Sequence, residues 1–185
     1  MTVGFIGSGR IGSSLALVSV AAGQPVVLSN SRGPQTLAKL ADQLGPLATA
    51  CNYNPLRDGQ IAELDNHSVT SSELIQRHLP DAKVVKAFNN IFFRHLLALS
   101  RPAGSADRSY LPIAGDDAAA KATVTAYLDT IGFGAVDDGS LAGSWRLEPG
   151  MPVYGPPSQY GPLTDDAGIP AGEAQIRAAI AAARR

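Results

Sequence analysis

The sequence predicts an α/β protein, a mostly parallel sheet with helices on both faces. Three observations predict it. The apolar run Val3, Phe5, Ile6 flows into Gly7-x-Gly9-x-x-Gly12 and then into an Ala/Leu/Val-rich segment, Ser13–Ala22. A second apolar stretch arrives on schedule at Pro25–Leu28. From there to Val136, strand-like and helix-like segments alternate, the pattern of strands joined by crossover helices.

The elements follow in order. A first strand covers Thr2–Gly7, and a helix covers Ile11–Ala22, ended near Gly23. A second strand, Val26–Leu28, is closed by the polar turn Ser29–Pro34. Leu37, Leu40, Ala41 and Leu44 recur at helical spacing, so Gln35–Leu44 reads as a helix, stopped by Gly45-Pro46. Leu47–Asn52 reads as a short strand, with turns at Asn54-Pro55 and Asp58-Gly59. Thr70 and Glu73 have the spacing of a capping box opening the helix Ser71–His78. Lys83–Phe88 is a strand, Asn90–Ser100 a helix, Arg101–Ser109 a loop and Tyr110–Ala114 a strand. Asp116-Asp117 open a helix that runs to Ile131 and stops at Gly132, and Phe133–Val136 is the last strand. Beyond Ser140, Pro149, Pro152, Pro156, Pro157 and Pro162 break regular structure, before an Ala-rich helix over Ala171–Ala183. Residues 1–140 are thus expected to form a dinucleotide-binding domain, and 141–185 a Pro-rich tail with a terminal helix.

Composition narrows the function. A chain of 185 residues suits one core of useful size. A net charge of −1 gives no electrostatic case for nucleic acid or an anionic membrane. The single cysteine, Cys51, cannot close an internal disulfide, which fits a reducing compartment. No apolar run has the length of a membrane span, and a strand beginning at Thr2 leaves no room for a signal peptide, so a cytoplasmic location is expected. His67, His78 and His95 lack metal-ligand spacing and read as ordinary histidines, so no metal site is expected.

The glycine motif carries the chemistry. Gly7 permits a tight turn, Gly9 lets backbone approach a pyrophosphate, and Gly12 lets helix and strand pack closely. Ser8, Arg10 and Ile11 fill the turn and the helix start, whose unpaired N–H groups and positive dipole end attract phosphate. The same string also serves as a Gly-rich strand-to-helix turn with no ligand. The tip of the second strand then decides between cofactors. An Asp or Glu there accepts from a ribose 2′-hydroxyl and repels a 2′-phosphate. Here the tip is Ser29, Asn30, Ser31 and Arg32, with no carboxylate. Arg32 can pair with a 2′-phosphate and the serines can donate to it, which favours NADP over NAD. The alternative is an ordinary polar turn with a solvated arginine.

The strings Val3–Gly12, Val26–Pro34, Thr70–Asn90, Leu111–Asp117 and Ser144–Tyr154, the last carrying Trp145, together resemble one family. It is that of the F420-dependent NADP oxidoreductases, also described as NADPH-dependent F420 reductases. The resemblance implies a Rossmann-type fold, with NADP on Gly7–Gly12 and its 2′-phosphate near Ser29–Arg32. It implies the deazaflavin coenzyme F420 as a second cofactor. It also implies that Asn89 and Asn90 match a stretch facing the reacting rings, although a strand-end turn or helix cap explains them equally well. Hydride transfer between two stacked rings about 3–3.5 Å apart rests on positioning, so no side chain is nominated as catalytic acid or base.

The chain departs from the family in one place. Leu47–Cys51 runs directly into Asn52–Gly59, and the family's segment around a fourth strand, after Ala50, has no counterpart. The predicted fold is therefore a shortened one, with one edge of the first strand left to be covered by something else. The phosphate half of the cofactor site is retained and the half that holds the reacting rings is put in question. The reading is an NADP(H)-binding oxidoreductase, acting on a small molecule or a deazaflavin as a cytoplasmic homodimer. The alternatives are a non-redox or repurposed protein on the same scaffold, and an NADPH-dependent imine or carbonyl reductase that needs no deazaflavin.

Overall fold

The computed structural model describes residues 3–6, 10–24, 26–29, 60–154 and 159–185. The glycines Gly7 and Gly9, the turn Asn30–Arg32, the helix expected at Gln35–Leu44 and the junction after Ala50 lie outside the described residues.

The N-terminal unit is β1 (Val3–Ile6), α1 (Arg10–Ala21) and β2 (Val26–Ser29). β1 and β2 pair in parallel, Val3 opposite Val26 and Ile6 opposite Ser29. Parallel pairing demands a crossover, and α1 supplies it. No second neighbour pairs with β1 among the described residues. The inner face of α1 buries Leu15, Ala16 and Val18. Ser19, also buried, donates to the Leu15 carbonyl and meets the hydroxyl of Tyr127.

The second half opens with α2 (Ala62–Asp65) and α3 (Ser71–His78), followed by β3 (Val85–Lys86) and α4 (Phe93–Ala98). β4 (Tyr110–Gly115), α5 (Ala118–Thr130) and β5 (Gly134–Asp137) follow. A 3-10 turn spans Ala142–Leu147, and α6 is Glu173–Ala181. The sheet order is β3-β4-β5: β5 runs parallel to β4, and β3 antiparallel. The fold is Rossmann-like α/β, and two of the three ladders among the described residues are parallel. β4 is central, and Leu111, Ile113 and Ala114 are buried, as a strand covered on both faces requires.

Local chemistry explains the boundaries. Thr70 Oγ1 accepts from Glu73 N at 3.2 Å, and Glu73 Oε2 accepts from Thr70 N at 2.7 Å, the expected capping box. Thr70 Oγ1 also donates to the Leu141 carbonyl at 3.0 Å, tying α3 to the turn after β5. Thr70→Ala should therefore lower unfolding stability by about 1–2 kcal/mol, at the upper end for a lost cap. Urea titration at neutral pH checks it. Asp117 caps α5 by accepting from Ala120 N, while Asp116 turns away and accepts from Leu141 N. Gly132 ends α5 with φ +91°, where a Cβ would also press on the Arg101 amide, so glycine is required there.

The strand expected over Lys83–Phe88 pairs at only two residues. Phe88 adopts a left-handed φ of +64°, which turns the chain out of the sheet before Asn89. The Pro-rich segment and α6 share the core of the sheet. Val153, Tyr160, Ala171 and Ile176 are fully buried and cluster with Leu111, Leu128 and Phe133. The tail holds the first residue of β4 at both ends: Tyr110 N donates to the Ala171 carbonyl, and the Tyr160 hydroxyl donates to the Tyr110 carbonyl.

Two buried phenols link this core to pH. Burial pushes the Tyr127 hydroxyl up to about 12, partly offset by its bond to Ser19, and burial also pushes Tyr160 up. A raised native value means the unfolded chain ionises first. The stability these groups contribute is full below pH ~10 and is lost as pH rises through the native value. The urea midpoint should fall steeply between pH 10 and pH 12, and Tyr127→Phe should flatten that fall. An unchanged slope in Tyr127→Phe would discount Tyr127.

Candidate functional site

The strand-end turn Phe88-Asn89-Asn90 places polar groups beside a cavity of about 480 Å³, a volume suited to a small-molecule ligand. Alternation along β3 sends Val85 toward the core and Lys86 to the cavity side. Leu64, Val69 and Pro149 form the apolar wall, and Ser71, Lys86, Asn89 and Glu148 the polar one. Gln60 before α2, Asp65 at its end and His67 in the turn after it complete the lining. His67 has φ +59°, and an Asx turn, Ser68 N donating to Asn66 Oδ1 at 2.9 Å, supports its conformation. Two left-handed non-glycine residues therefore flank one cavity. Phe88 is the more strained, because a bulky side chain rarely tolerates that region.

Lys86 is the charged anchor of the site. Its side chain is only 7 % exposed and sits 3.2 Å from Glu148 Oε1. A second N–H reaches the Ser144 carbonyl at 3.4 Å. Burial holds the ammonium below the usual lysine range, and the Glu148 carboxylate offsets part of that. Ser71 Oγ reaches the same Glu148 oxygen at 3.4 Å.

Asn89 and Asn90 diverge. Asn89 lines the cavity, its Nδ2 donating to the Leu147 carbonyl at 2.7 Å. Asn90 is buried and clamps the tail, donating from Nδ2 to Leu147 O and Val153 O. The Oδ1 atoms of both are buried with no hydrogen-bond partner among the described residues. The 3-10 turn that carries the Leu147 carbonyl is itself fixed: Arg146 Nε donates to Asp138 Oδ1 at 2.9 Å, and its guanidinium lies over the Trp145 ring. Burial raises the Asp138 carboxyl, against the lowering effect of Arg146.

Of the other residues predicted from the sequence, Arg10, Ile11 and Gly12 form the first turn of α1, with Gly12 buried. Ser29 ends β2 opposite Ile6, so the tips of both strands lie at one edge. Gly7, Ser8, Gly9, Asn30, Ser31 and Arg32 lie outside the described residues. His78 is exposed, whereas His95 is buried with Nε2 at 2.6 Å from the Asp165 carbonyl. Among the described residues no group of three or more His, Cys, Asp or Glu could hold a metal ion, and no helix is long and apolar enough to cross a membrane. Sequence reasoning missed Lys86 and Glu148. The one available signal was a lysine inside an otherwise apolar strand.

Residues 2–63 match the family described as NADP oxidoreductase, coenzyme F420-dependent. Among solved structures, a hypothetical protein, SMa0349, from Sinorhizobium meliloti is 26 % identical, with a TM-score of 0.67 over 83 % of this chain and 93 % of its own. A "putative F420 dependent NADP-reductase" from Arthrobacter sp. FB24 is 20 % identical, with a TM-score of 0.57 over 79 % of this chain and 87 % of its own. A search of curated proteins gives no match. Over residues 2–63 the chain is similar in sequence to the coenzyme F420-dependent NADP oxidoreductases, and over most of its length it is similar in fold to these two structures.

Proposed function

We propose that the protein is an NADP(H)-dependent oxidoreductase that exchanges a hydride with the deazaflavin coenzyme F420. The observation that carries this reading is the parallel β1–α1–β2 unit, which lies inside the family-matching segment. Gly7, Ser8, Gly9, Arg10, Ile11 and Gly12 would hold the pyrophosphate, and Ser29, Asn30, Ser31 and Arg32 the 2′-phosphate. The cavity beside β3 would take the second ring system. The fit there rests on chemistry left open in the protein: Asn89 Oδ1 lacks a donor, and the third N–H of Lys86 lacks an acceptor, among the described residues. When bound, the deazaflavin supplies a ring carbon that gives or takes a hydride against nicotinamide. Lys86 and Asn89 would orient it, while Leu64, Val69 and Pro149 exclude water. The same reading has the protein working as a cytoplasmic homodimer on small molecules, without nucleic-acid or membrane partners, in keeping with its net charge of −1.

Titration with NADPH, NADH and oxidised deazaflavin tests the reading. NADPH should bind more tightly than NADH and bleach the deazaflavin absorbance in the presence of the protein. If neither NADPH nor the deazaflavin binds, the reading fails. One observation favours a second reading, direct reduction of a carbonyl or imine by NADPH. A buried lysine held below its usual range is a competent proton donor to such a substrate. NADPH binding without deazaflavin binding would select it.

A further inference from the structure

We infer that the cavity beside β3 reads a planar amide edge, a carbonyl oxygen next to an N–H. Lys86 Nζ would donate to the oxygen, and Asn89 Oδ1 would accept from the N–H. The inference rests on the reading above that this cavity receives one of the two reacting ring systems.

Both groups are fixed by the same 3-10 turn. Lys86 donates to Ser144 O and Asn89 to Leu147 O, so two carbonyls three residues apart in one turn anchor both side chains. Neither group is satisfied. Two of the three ammonium N–H bonds are spent, at 3.2 Å and 3.4 Å, and the third has no partner among the described residues. Anchoring Nδ2 of Asn89 on Leu147 fixes the amide orientation and leaves Oδ1 as a buried, unpaired acceptor. A buried acceptor without a donor is costly, and a ligand N–H would relieve that cost. The left-handed Phe88, one residue before Asn89, turns the chain so that Asn89 lines the cavity instead of continuing the strand.

The charges select the ligand class. Glu148 and Asp65 line the same cavity, so a phosphate or carboxylate brought to Lys86 would also meet two carboxylates. A neutral carbonyl avoids that repulsion and still takes the free N–H of Lys86. Leu64, Val69 and Pro149 supply apolar surface for a flat ring. Two candidate sources share this edge: the pyrimidinedione ring of a deazaflavin and the carboxamide of a nicotinamide.

The test alters the ligand first, leaving the protein intact. Fluorescence titration compares 5-deazariboflavin with its N3-methyl derivative, which lacks the N–H. The wild-type protein should bind the methylated compound at least about tenfold more weakly, the worth of one hydrogen bond. In Asn89→Leu that ratio should collapse to about one, and Lys86→Met should weaken both compounds alike. A parallel NADPH titration reports separately on the oxidoreductase reading and on the integrity of each variant. If the deazaflavins do not bind, the nicotinamide source is tested the same way. Nicotinamide mononucleotide preferred over nicotinic acid mononucleotide, with a preference lost in Asn89→Leu, upholds the amide edge with the carboxamide as its source. Equal binding of both members of each pair by the wild type, an unchanged preference in Asn89→Leu, or no binding of any of the four compounds overturns the inference.

Discussion

Arg32→Asp should weaken NADPH binding about 100-fold and leave NADH binding nearly unchanged. Charge-assisted hydrogen bonds to a phosphate contribute about 1.5–3 kcal/mol, and 1.4 kcal/mol is a factor of ten, so losing the arginine and adding a like charge reaches two decades. β1 and β2 run parallel with Ile6 opposite Ser29, so both strands end at one edge, from which the turns expected at Gly7–Gly12 and Ser29–Arg32 would follow. A dinucleotide whose pyrophosphate sits on one turn presents its adenosine ribose to the other. NADH lacks the 2′-phosphate and gains an acceptor for its 2′-hydroxyl in the variant. Isothermal titration with both cofactors decides the matter, and equal losses for the two would remove the 2′-phosphate argument.

The second large effect is on stability. Glu148→Ala should destabilise the protein by about 3 kcal/mol at pH 7, because it leaves a buried lysine without its counter-charge. Lys86 is 7 % exposed at its side chain, and Glu148 is its ion-pair partner among the described residues. The loss should depend on pH in a defined direction. Without Glu148, the native ammonium is held still further below the unfolded lysine value. The unfolded chain then binds more protons between those two values, so stability rises with pH across that window. The deficit of Glu148→Ala should therefore shrink between pH 7 and pH 9.5, below the range where the buried tyrosines begin to act. The double variant Lys86→Met with Glu148→Leu should recover most of the loss, since it removes both charges at similar volume. A deficit that is equal at both pH values, or that persists in the double variant, would assign the effect to lost packing.

Local signals were legible in the sequence. The capping box at Thr70 and Glu73 needs only three residues of separation, and α3 spans the predicted Ser71–His78. β1, α1 and β2 follow from one apolar run, one glycine string and one crossover. Interactions across distance in the chain were not legible. Lys86 and Glu148 are brought together only when the 3-10 turn docks on β3, and nothing in either neighbourhood announces the other. The same docking gives Asn89 and Asn90 different roles, although adjacent identical residues look equivalent in a string. The left-handed Phe88, which shortens the strand expected over Lys83–Phe88, has no local signature, because propensity argues against it.

The burial of Tyr160 and Ile176 against Leu111 and Phe133 has a consequence for how the protein is made. A ribosome extends a chain at about 5–20 residues per second, and domains fold as units as they emerge. Here the central strand cannot bury both its faces until α6 has been synthesised, nor its first residue keep its partners until the chain has reached Ala171. The nascent protein thus waits with an open hydrophobic seam along β4 until α6 closes it. Its most vulnerable moment, to aggregation or to proteolysis, is the interval between the synthesis of β4 and that of α6.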